Sequence, residues 1–367
     1  MSYSAQSRLV HAGGSGVSGE PVVPALVLSS IFYSQGEPAS GYARNSNPVW
    51  EDLETALGML EQAEAVVFAS GQAASMALML ALAKGRSRIV MPADGYYGAR
   101  VLADRLRPHG AEPVTADLRD LAAVKDALAA APAVLWAETP SNPLLNVADL
   151  GRLGELASAA GAPMIVDNTV ATAILQRPLD WGAAASLYSL TKAAAGHSDV
   201  ILGAVVSRDS ELIAEVRSWR SNGGGIAGPV EAWLGLRGLK TLPLRIERQS
   251  QNAQLIAEHL AAHPGVRAVH YPGLLTGAAG AVARTQMPAG FGPLLSFELG
   301  SAAAADAVVA ASTLIAPATS LGGVESTWER RGRWPAETAP AGLIRLSAGI
   351  ETAADLIADI DSALGAV

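Results

Sequence analysis

Short apolar runs of strand character alternate with segments of helical spacing through much of the chain, and this alternation limits the possible folds more than any other feature. The strand-like runs cover 65–69, 88–91, 133–137, 164–166, 184–189 and 201–206. Between them, 97–106, 118–131 and 150–160 place apolar residues at helical intervals. Strands separated by helices require crossover connections, which predicts an α/β domain with a mainly parallel sheet. A further helical pattern precedes it at 51–61. Beyond Gly238 the pattern changes to a long helix over 243–262, apolar pieces at 266–271 and 294–298, and helices over 302–311 and 353–364. That reads as a smaller α+β domain. The opening residues are rich in Gly, Ser and Pro without periodicity, and read as an extended arm. The expected division is an arm over 1–45, an α/β domain over 46–240 and an α+β domain over 241–367. At about 150 residues per domain, such a division suits the length.

Several classes are excluded early. The run 65–83 carries no charge over 19 residues, long enough to span a bilayer. Ser70, Gly71 and Gln72 interrupt it, so a strand, a turn and a buried helix account for it better. The first residues lack the apolar core of a secretory signal, and a cytoplasmic location is expected. The sequence contains no cysteine, which removes disulfides, cysteine-bound metals and a thiol nucleophile together. Its six histidines form no HExxH pattern, so no metal is expected, and no GxSxG is present. A net charge of −8 argues against nucleic acid as a partner. Two GxGxxG patterns, from Gly14 and from Gly223, follow no predicted strand and read as flexible loops.

The chemistry concentrates elsewhere. Only four lysines are present, and one of them, Lys192, lies in an almost uncharged stretch after a strand-like run. Burial lowers a lysine's pKa and suits it to Schiff-base chemistry, although the same segment also suits a lysine snorkelling from a helix end. Asp167 ends a strand-like run, at the edge where open α/β sheets bind ligands. A buried aspartate there can keep a pyridinium nitrogen protonated, as pyridoxal phosphate (PLP) requires, or can cap a helix. Ser70-Gly71-Gln72 lies at a strand-to-helix junction, where free N–H groups and the helix dipole favour a phosphate. Ser189 and Thr191 could add hydroxyl donors.

Together these segments resemble the PLP-dependent Cys/Met-metabolism family of cystathionine γ-lyases, cystathionine γ-synthases and methionine γ-lyases. The resemblance runs from Val10-His-Ala-Gly13 and Tyr42-Ala-Arg-Asn-Ser-Asn-Pro48 through Ser70-Gly71, Glu138-Thr-Pro-Ser-Asn-Pro143 and Ser189-Leu-Thr-Lys192. It continues through Arg237-Gly-Leu-Lys-Thr-Leu242, Tyr271-Pro-Gly-Leu274, Ser320-Leu-Gly-Gly-Val-Glu-Ser326 and Arg345-Leu-Ser347. The resemblance implies the aminotransferase-like architecture of fold type I and a role for each matching residue. Lys192 would hold PLP as a Schiff base and move protons, Asp167 would face the ring nitrogen, and Asn142 the ring hydroxyl. Ser70, Gly71, Gln72, Ser189 and Thr191 would hold the phosphate, and Tyr96 would stack on the ring and supply a proton. Tyr42 and Arg44 would reach that phosphate from a neighbouring subunit of a homotetramer. Arg345 would clamp the carboxylate of an amino-acid substrate, with Tyr42, Asn142 and Ser320 beside it.

The implied reaction is γ-elimination on a sulfur- or oxygen-substituted amino acid, cystathionine γ-lyase-like. The alternative is γ-replacement on an activated homoserine; a reading of another class is a PLP-binding protein without turnover. This sequence departs from the family pattern at Tyr97, Ala99, Gly41 and Thr319, and at the stretch that begins with Thr327. Cystathionine-processing members commonly carry a glutamate where Thr319 stands, so recognition of a distal ammonium is expected to weaken. The arginine-rich stretch 330–333 reads either as a substrate-facing segment or as a solvated loop.

Overall fold

The computed structural model describes residues 3–33, 41–334 and 337–366. Its seven-stranded sheet contains β1 (Glu64–Phe68), β2 (Arg88–Pro92), β3 (Glu112–Ala116), β4 (Ala133–Glu138), β5 (Met164–Asp167), β6 (Ala185–Tyr188) and β7 (Gly203–Ser207). The strand order is β1-β7-β6-β5-β4-β2-β3. Only β7 runs against the rest, pairing antiparallel with both β1 and β6. The six predicted strands thus form, each within a residue or two of its expected ends.

β3 was not predicted. Its sequence, Glu-Pro-Val-Thr-Ala, has no apolar run because it forms the sheet edge and buries little. β4, by contrast, is buried at every position, as expected of a parallel strand covered on both faces.

Helices cover both faces of this sheet. α1 (Ala5–Val10) and α2 (Pro48–Glu61) belong to a core that packs against Val67, Ala204 and Val206. α3 (Gly71–Leu82) and α4 (Tyr97–Arg105) pack with Phe68, Trp136 and Val205 on the other face. α5 (Leu121–Ala129) and α6 (Leu150–Ala159) pack against Val90, Leu135 and Met164. α2 starts where expected of its sequence: the Asn47 side chain caps the Val49 N–H, and Pro48 occupies the first turn.

Two expectations for the loops need correction. The opening segment is not extended throughout, because Leu9 of α1 is fully buried in the core it shares with α2. The glycine pattern from Gly223 is not a free loop either. The Gly225 N–H donates to the Arg220 carbonyl, while its own carbonyl accepts from Ala69 N–H at 2.9 Å. That stitching ties it to the end of β1.

After a single turn, α7 (Thr172–Leu175), come α8 (Ser210–Gly223), α9 (Pro229–Leu239) and α10 (Leu242–Ala262). A second sheet follows, of β8 (Ala268–His270), β9 (Leu294–Glu298), β10 (Ala316–Pro317), β11 (Thr327–Arg330) and β12 (Leu343–Ser347), in the order β10-β11-β12-β9-β8. α11 (Gly277–Gln286) packs on the first core through Ala283, and α10, α12 (Ala302–Ala311) and α13 (Ala353–Leu364) close the second around Phe297, Trp328 and Ile360. Among the described residues, no helix is long and apolar enough to cross a membrane.

Candidate active site

A cavity of about 400 Å³ opens where the C-terminal ends of β4, β5 and β6 meet the N-terminus of α3 and the second sheet. Its lining includes Ser70, Gly71, Gln72, Tyr96, Asn142, Asp167, Ser189, Thr191, Lys192, Ser320 and Arg345, so eleven of the thirteen residues expected at the site converge. The exceptions are Tyr42 and Arg44, which lie elsewhere on the protomer. The Arg44 guanidinium sits 5.4 Å from the Tyr42 ring centre and donates to the Ser221 carbonyl at 2.8 Å.

One end of the cavity suits an anion. Ser70 caps α3 by accepting from Ala73 N–H at 3.0 Å, which leaves the N–H groups of the first turn facing outward. Close packing requires glycine here: a Cβ on Gly71 would lie 3.0 Å from that of Ser189, and one on Gly203 only 2.2 Å from the Ser70 carbonyl oxygen. Gln72 uses its side chain to donate to the Gly98 carbonyl, leaving its backbone for a ligand. The Thr191 hydroxyl is already engaged, donating to the Leu202 carbonyl and accepting from Leu202 N–H, both at 3.0 Å.

The opposite end carries paired acids. Glu138 and Asp167 are register partners on adjacent strands β4 and β5. Glu138 accepts from Tyr96 N–H at 2.6 Å and from Asn142 N–H at 2.8 Å. Asp167 accepts from Thr169 N–H at 3.0 Å. Burial pushes both carboxyls above their ordinary range, and the Asp167 charge pushes Glu138 further. A cation placed against Asp167 would relieve that cost.

Lys192 stands between these ends. Its Nζ donates to Ser320 Oγ at 2.8 Å. Burial first, then the nearby Arg345 guanidinium, lower its pKa to about 8. Ser320 holds a positive φ of 81°, an uncommon conformation for a residue with a side chain, and its carbonyl accepts from Arg345 Nη2 at 2.7 Å. Arg345 Nη1 donates to Asn142 Oδ1 at 3.1 Å. Tyr96 precedes the first turn of α4 without capping it through its side chain, and burial together with neighbouring Tyr97 raises its hydroxyl pKa, so the hydroxyl stays protonated near neutrality.

These groups fit PLP. The α3 N-terminus suits its phosphate, Asp167 suits a cationic ring nitrogen, and the Lys192 amine suits its aldehyde. The residues missed from sequence are Glu138, Thr169, Glu329 and Trp334, whereas Arg331 lies in the arginine-rich stretch read there as either substrate-facing or solvated. Glu138 stood within a quoted motif and could have been found there. Glu329 lies in the departing stretch that begins with Thr327, but its pairing with Arg345 joins two strands and has no local signal.

The comparisons decide the family. The model describing the Cys/Met metabolism PLP-dependent enzymes matches residues 6–365. The chain belongs to this family. Among its relatives, a cystathionine γ-synthase from Mycobacterium tuberculosis is 40% identical over 376 residues, covering 98% of this chain and 96% of that protein. A cystathionine γ-lyase from Bacillus subtilis is 38% identical over 375 residues, covering 98% of each chain. The solved structure of CalE6 from Micromonospora echinospora, described as a cystathionine γ-lyase, superposes with a TM-score of 0.93 at 40% identity, covering 99% of this chain and 100% of that one. The fold is accordingly that of fold type I PLP enzymes, and PLP is the cofactor of this Cys/Met-metabolism enzyme.

Proposed function

We propose that the enzyme catalyses γ-elimination on a γ-substituted amino acid, releasing a sulfur or oxygen leaving group. The observation that carries the reading is the double use of Ser320. Its hydroxyl receives Lys192 Nζ at 2.8 Å and its carbonyl receives Arg345 Nη2 at 2.7 Å. A proton-moving amine and a carboxylate-binding guanidinium are thereby held on one residue, on either side of where a substrate Cα must lie.

PLP, when bound, supplies the electron sink that makes protons next to the substrate nitrogen removable. The chain's residues do the rest. Arg345 takes the substrate carboxylate with charge-assisted hydrogen bonds. Lys192, with its pKa lowered to about 8, gives up its proton more readily than an ordinary lysine and in its neutral form can take one from Cα. Once relieved of that proton, the same amine can take a second one from Cβ, with Ser320 Oγ limiting its swing. Tyr96 keeps its proton near neutrality and can donate it to the departing γ-substituent. Asp167 would hold a cationic ring nitrogen, and Asn142, which already accepts from Arg345 Nη1, would face the ring hydroxyl. Ser70, Gly71, Gln72 and Ser189 would hold the phosphate, and Thr191 would join them only by releasing its bond to the Leu202 carbonyl.

γ-Replacement is the second reading. It is favoured by the relatives named cystathionine γ-synthase, and it uses the same groups until the leaving group departs. CalE6 is also described as a methionine γ-lyase, which widens the substrate range to be tested. We further assign the chain to a cytoplasmic homotetramer, divided into the arm 1–45, the cofactor domain 46–240 and the C-terminal domain 241–367. Tyr42 and Arg44 would serve a neighbouring subunit's site. Their distance from their own protomer's cavity supports this, as do the exposed Leu28, Ile31 and Tyr33 on the arm.

Incubation with L-cystathionine, L-methionine and O-acylhomoserines, with and without a thiol, tests the assignment. 2-Oxobutyrate released without a thiol is the expected product. A new thioether formed only with a thiol would favour replacement, and no product from any of these substrates would overturn both readings.

A further inference from the structure

Five hydrogen-bond donors converge on the two oxygens of one buried carboxylate, Glu329. Its Oε1 accepts from Arg345 Nη2 and Arg331 Nη1, both at 2.8 Å, and from Thr319 Oγ1 at 3.1 Å. Its Oε2 accepts from Arg333 Nη2 at 2.7 Å and Trp334 Nε1 at 3.1 Å. Glu337 supplies a second carboxylate, accepting from Arg331 Nη2 at 2.7 Å. Glu329, Arg331 and Arg345 are 2%, 3% and 4% exposed, so water cannot screen them. Three guanidinium groups face two carboxylates, which leaves one net positive charge beside the cavity, the complement of one substrate carboxylate.

We propose that Glu329 is a positioning residue for substrate binding, holding the Arg345 guanidinium in place and limiting the cationic charge it presents. This rests on the reading of Arg345 as the carboxylate ligand. The physical argument is that Arg331, Arg333 and Arg345 repel one another and meet only around an anion. An amide in that place cannot serve: its NH₂ group would face donors, leaving buried donors unpaired. The arginine-rich stretch is thus mixed: Arg331 is buried at the cavity and Arg333 stays half-exposed, and both are paired with carboxylates from within.

Glu329 also bears on the amine. Its charge favours protonated Lys192, which Arg345 and Arg331 oppose; Asp167 is the other acidic group acting on that amine. Burial alone would raise the Glu329 carboxyl, but Arg345, Trp334 and Arg331 outweigh burial and hold it below its ordinary range.

The test compares Glu329→Gln with wild type in the PLP-loaded enzyme, using the best substrate of the panel. The expected result is a KM raised about tenfold, the worth of one charge-assisted hydrogen bond, with kcat within about twofold. Glu329→Asp should recover part of the loss. In cofactor-free protein, labelling of Lys192 by acetic anhydride, read by peptide mass, should reach its midpoint at lower pH in Glu329→Gln. An unchanged KM, or an unmoved labelling midpoint, would overturn the proposal. If Glu329→Gln does not fold, Glu329→Gln/Arg331→Met restores the net charge of the cluster; a raised KM there supports the proposal and a normal one overturns it. Arg345→Lys separates the two readings. An unchanged KM in that variant removes the carboxylate ligand itself, and the proposal falls with it. A raised KM there beside a normal one in Glu329→Gln removes only the role of Glu329.

Discussion

Two cross-strand pairs flank the cavity, and they are built from opposite choices of charge. Glu138 and Asp167 face each other across parallel strands β4 and β5, two acids side by side. Glu329 and Arg345 face each other across antiparallel strands β11 and β12, an acid against a base. The like-charged pair is unfavourable by itself, and burial raises both carboxyls. A cationic ring nitrogen beside Asp167 improves it, so the pair favours a ligand. The opposite-charged pair is satisfied without a ligand, and what it offers is a fixed geometry with one residual positive charge. Unsatisfied charge attracts the cofactor in one region, and satisfied charge orients the substrate in the other.

The largest expected effect tests the group between the two pairs. Lys192→Ala should lower turnover by about a thousandfold or more, measured as product release from PLP-loaded protein, since both proton transfers lose their carrier. Asp167→Asn tests the acidic pair directly. It removes the charge that holds the ring nitrogen and should lower kcat by about a hundredfold, with a matching absorbance change of the bound cofactor. If Asp167→Asn leaves kcat intact, the acidic pair is structural and the contrast fails.

Arg345→Lys tests the other pair. The lost guanidinium fork should raise KM by roughly tenfold to a hundredfold while kcat changes much less. A fall in kcat alone would mean that the pair acts on chemistry rather than on binding.

A smaller effect concerns a third buried acid below the sheet. Glu61 accepts from Ser186 Oγ at 2.9 Å and from the Tyr188 hydroxyl, and burial pushes its carboxyl from 4.5 up to about 7. A carboxyl whose pKa is raised by folding favours the native state fully below pH 4.5 and loses that contribution as pH rises to about 7. Glu61→Gln should therefore remove a decline in stability on the order of 3 kcal/mol across that window, measured by denaturant unfolding at pH 5 and pH 8. An unchanged pH dependence would show that burial alone does not raise an acid in this core, and would weaken the same argument for Glu138 and Asp167.

The two regions also differ in how far they could be read from sequence. Asp167 was legible because an apolar run ended on a carboxylate, and Lys192 because few other lysines compete and its flanks are uncharged. The motif Glu138-Thr-Pro-Ser-Asn-Pro143 was legible, although the role of Glu138 beside Asp167 was not. β12 was not predicted, because Arg345 interrupts its apolar pattern, yet all five of its residues are buried. The stretch 330–333 was left between two readings. Arg331 turns inward because Glu329 and Glu337 receive it, Arg333 reaches Glu329 while staying half-exposed, and Arg330 pairs with Asp306.

Local sequence determined the alternation of strands and helices, the cap and first turn of α3, and the lysine at the end of its strand. These depend on neighbours within a few residues, where hydrophobic period and capping act. Tertiary structure alone decided that Ser320 would join Lys192 to Arg345, and that Glu329 would gather three guanidinium groups. The Ser320 contacts and the Glu329–Arg345 pair join different parts of the chain, whereas Arg331 and Arg333 are near neighbours of Glu329 that turn to it only in the folded chain; burial, which sets the strength of all of them, exists only once both sheets have packed.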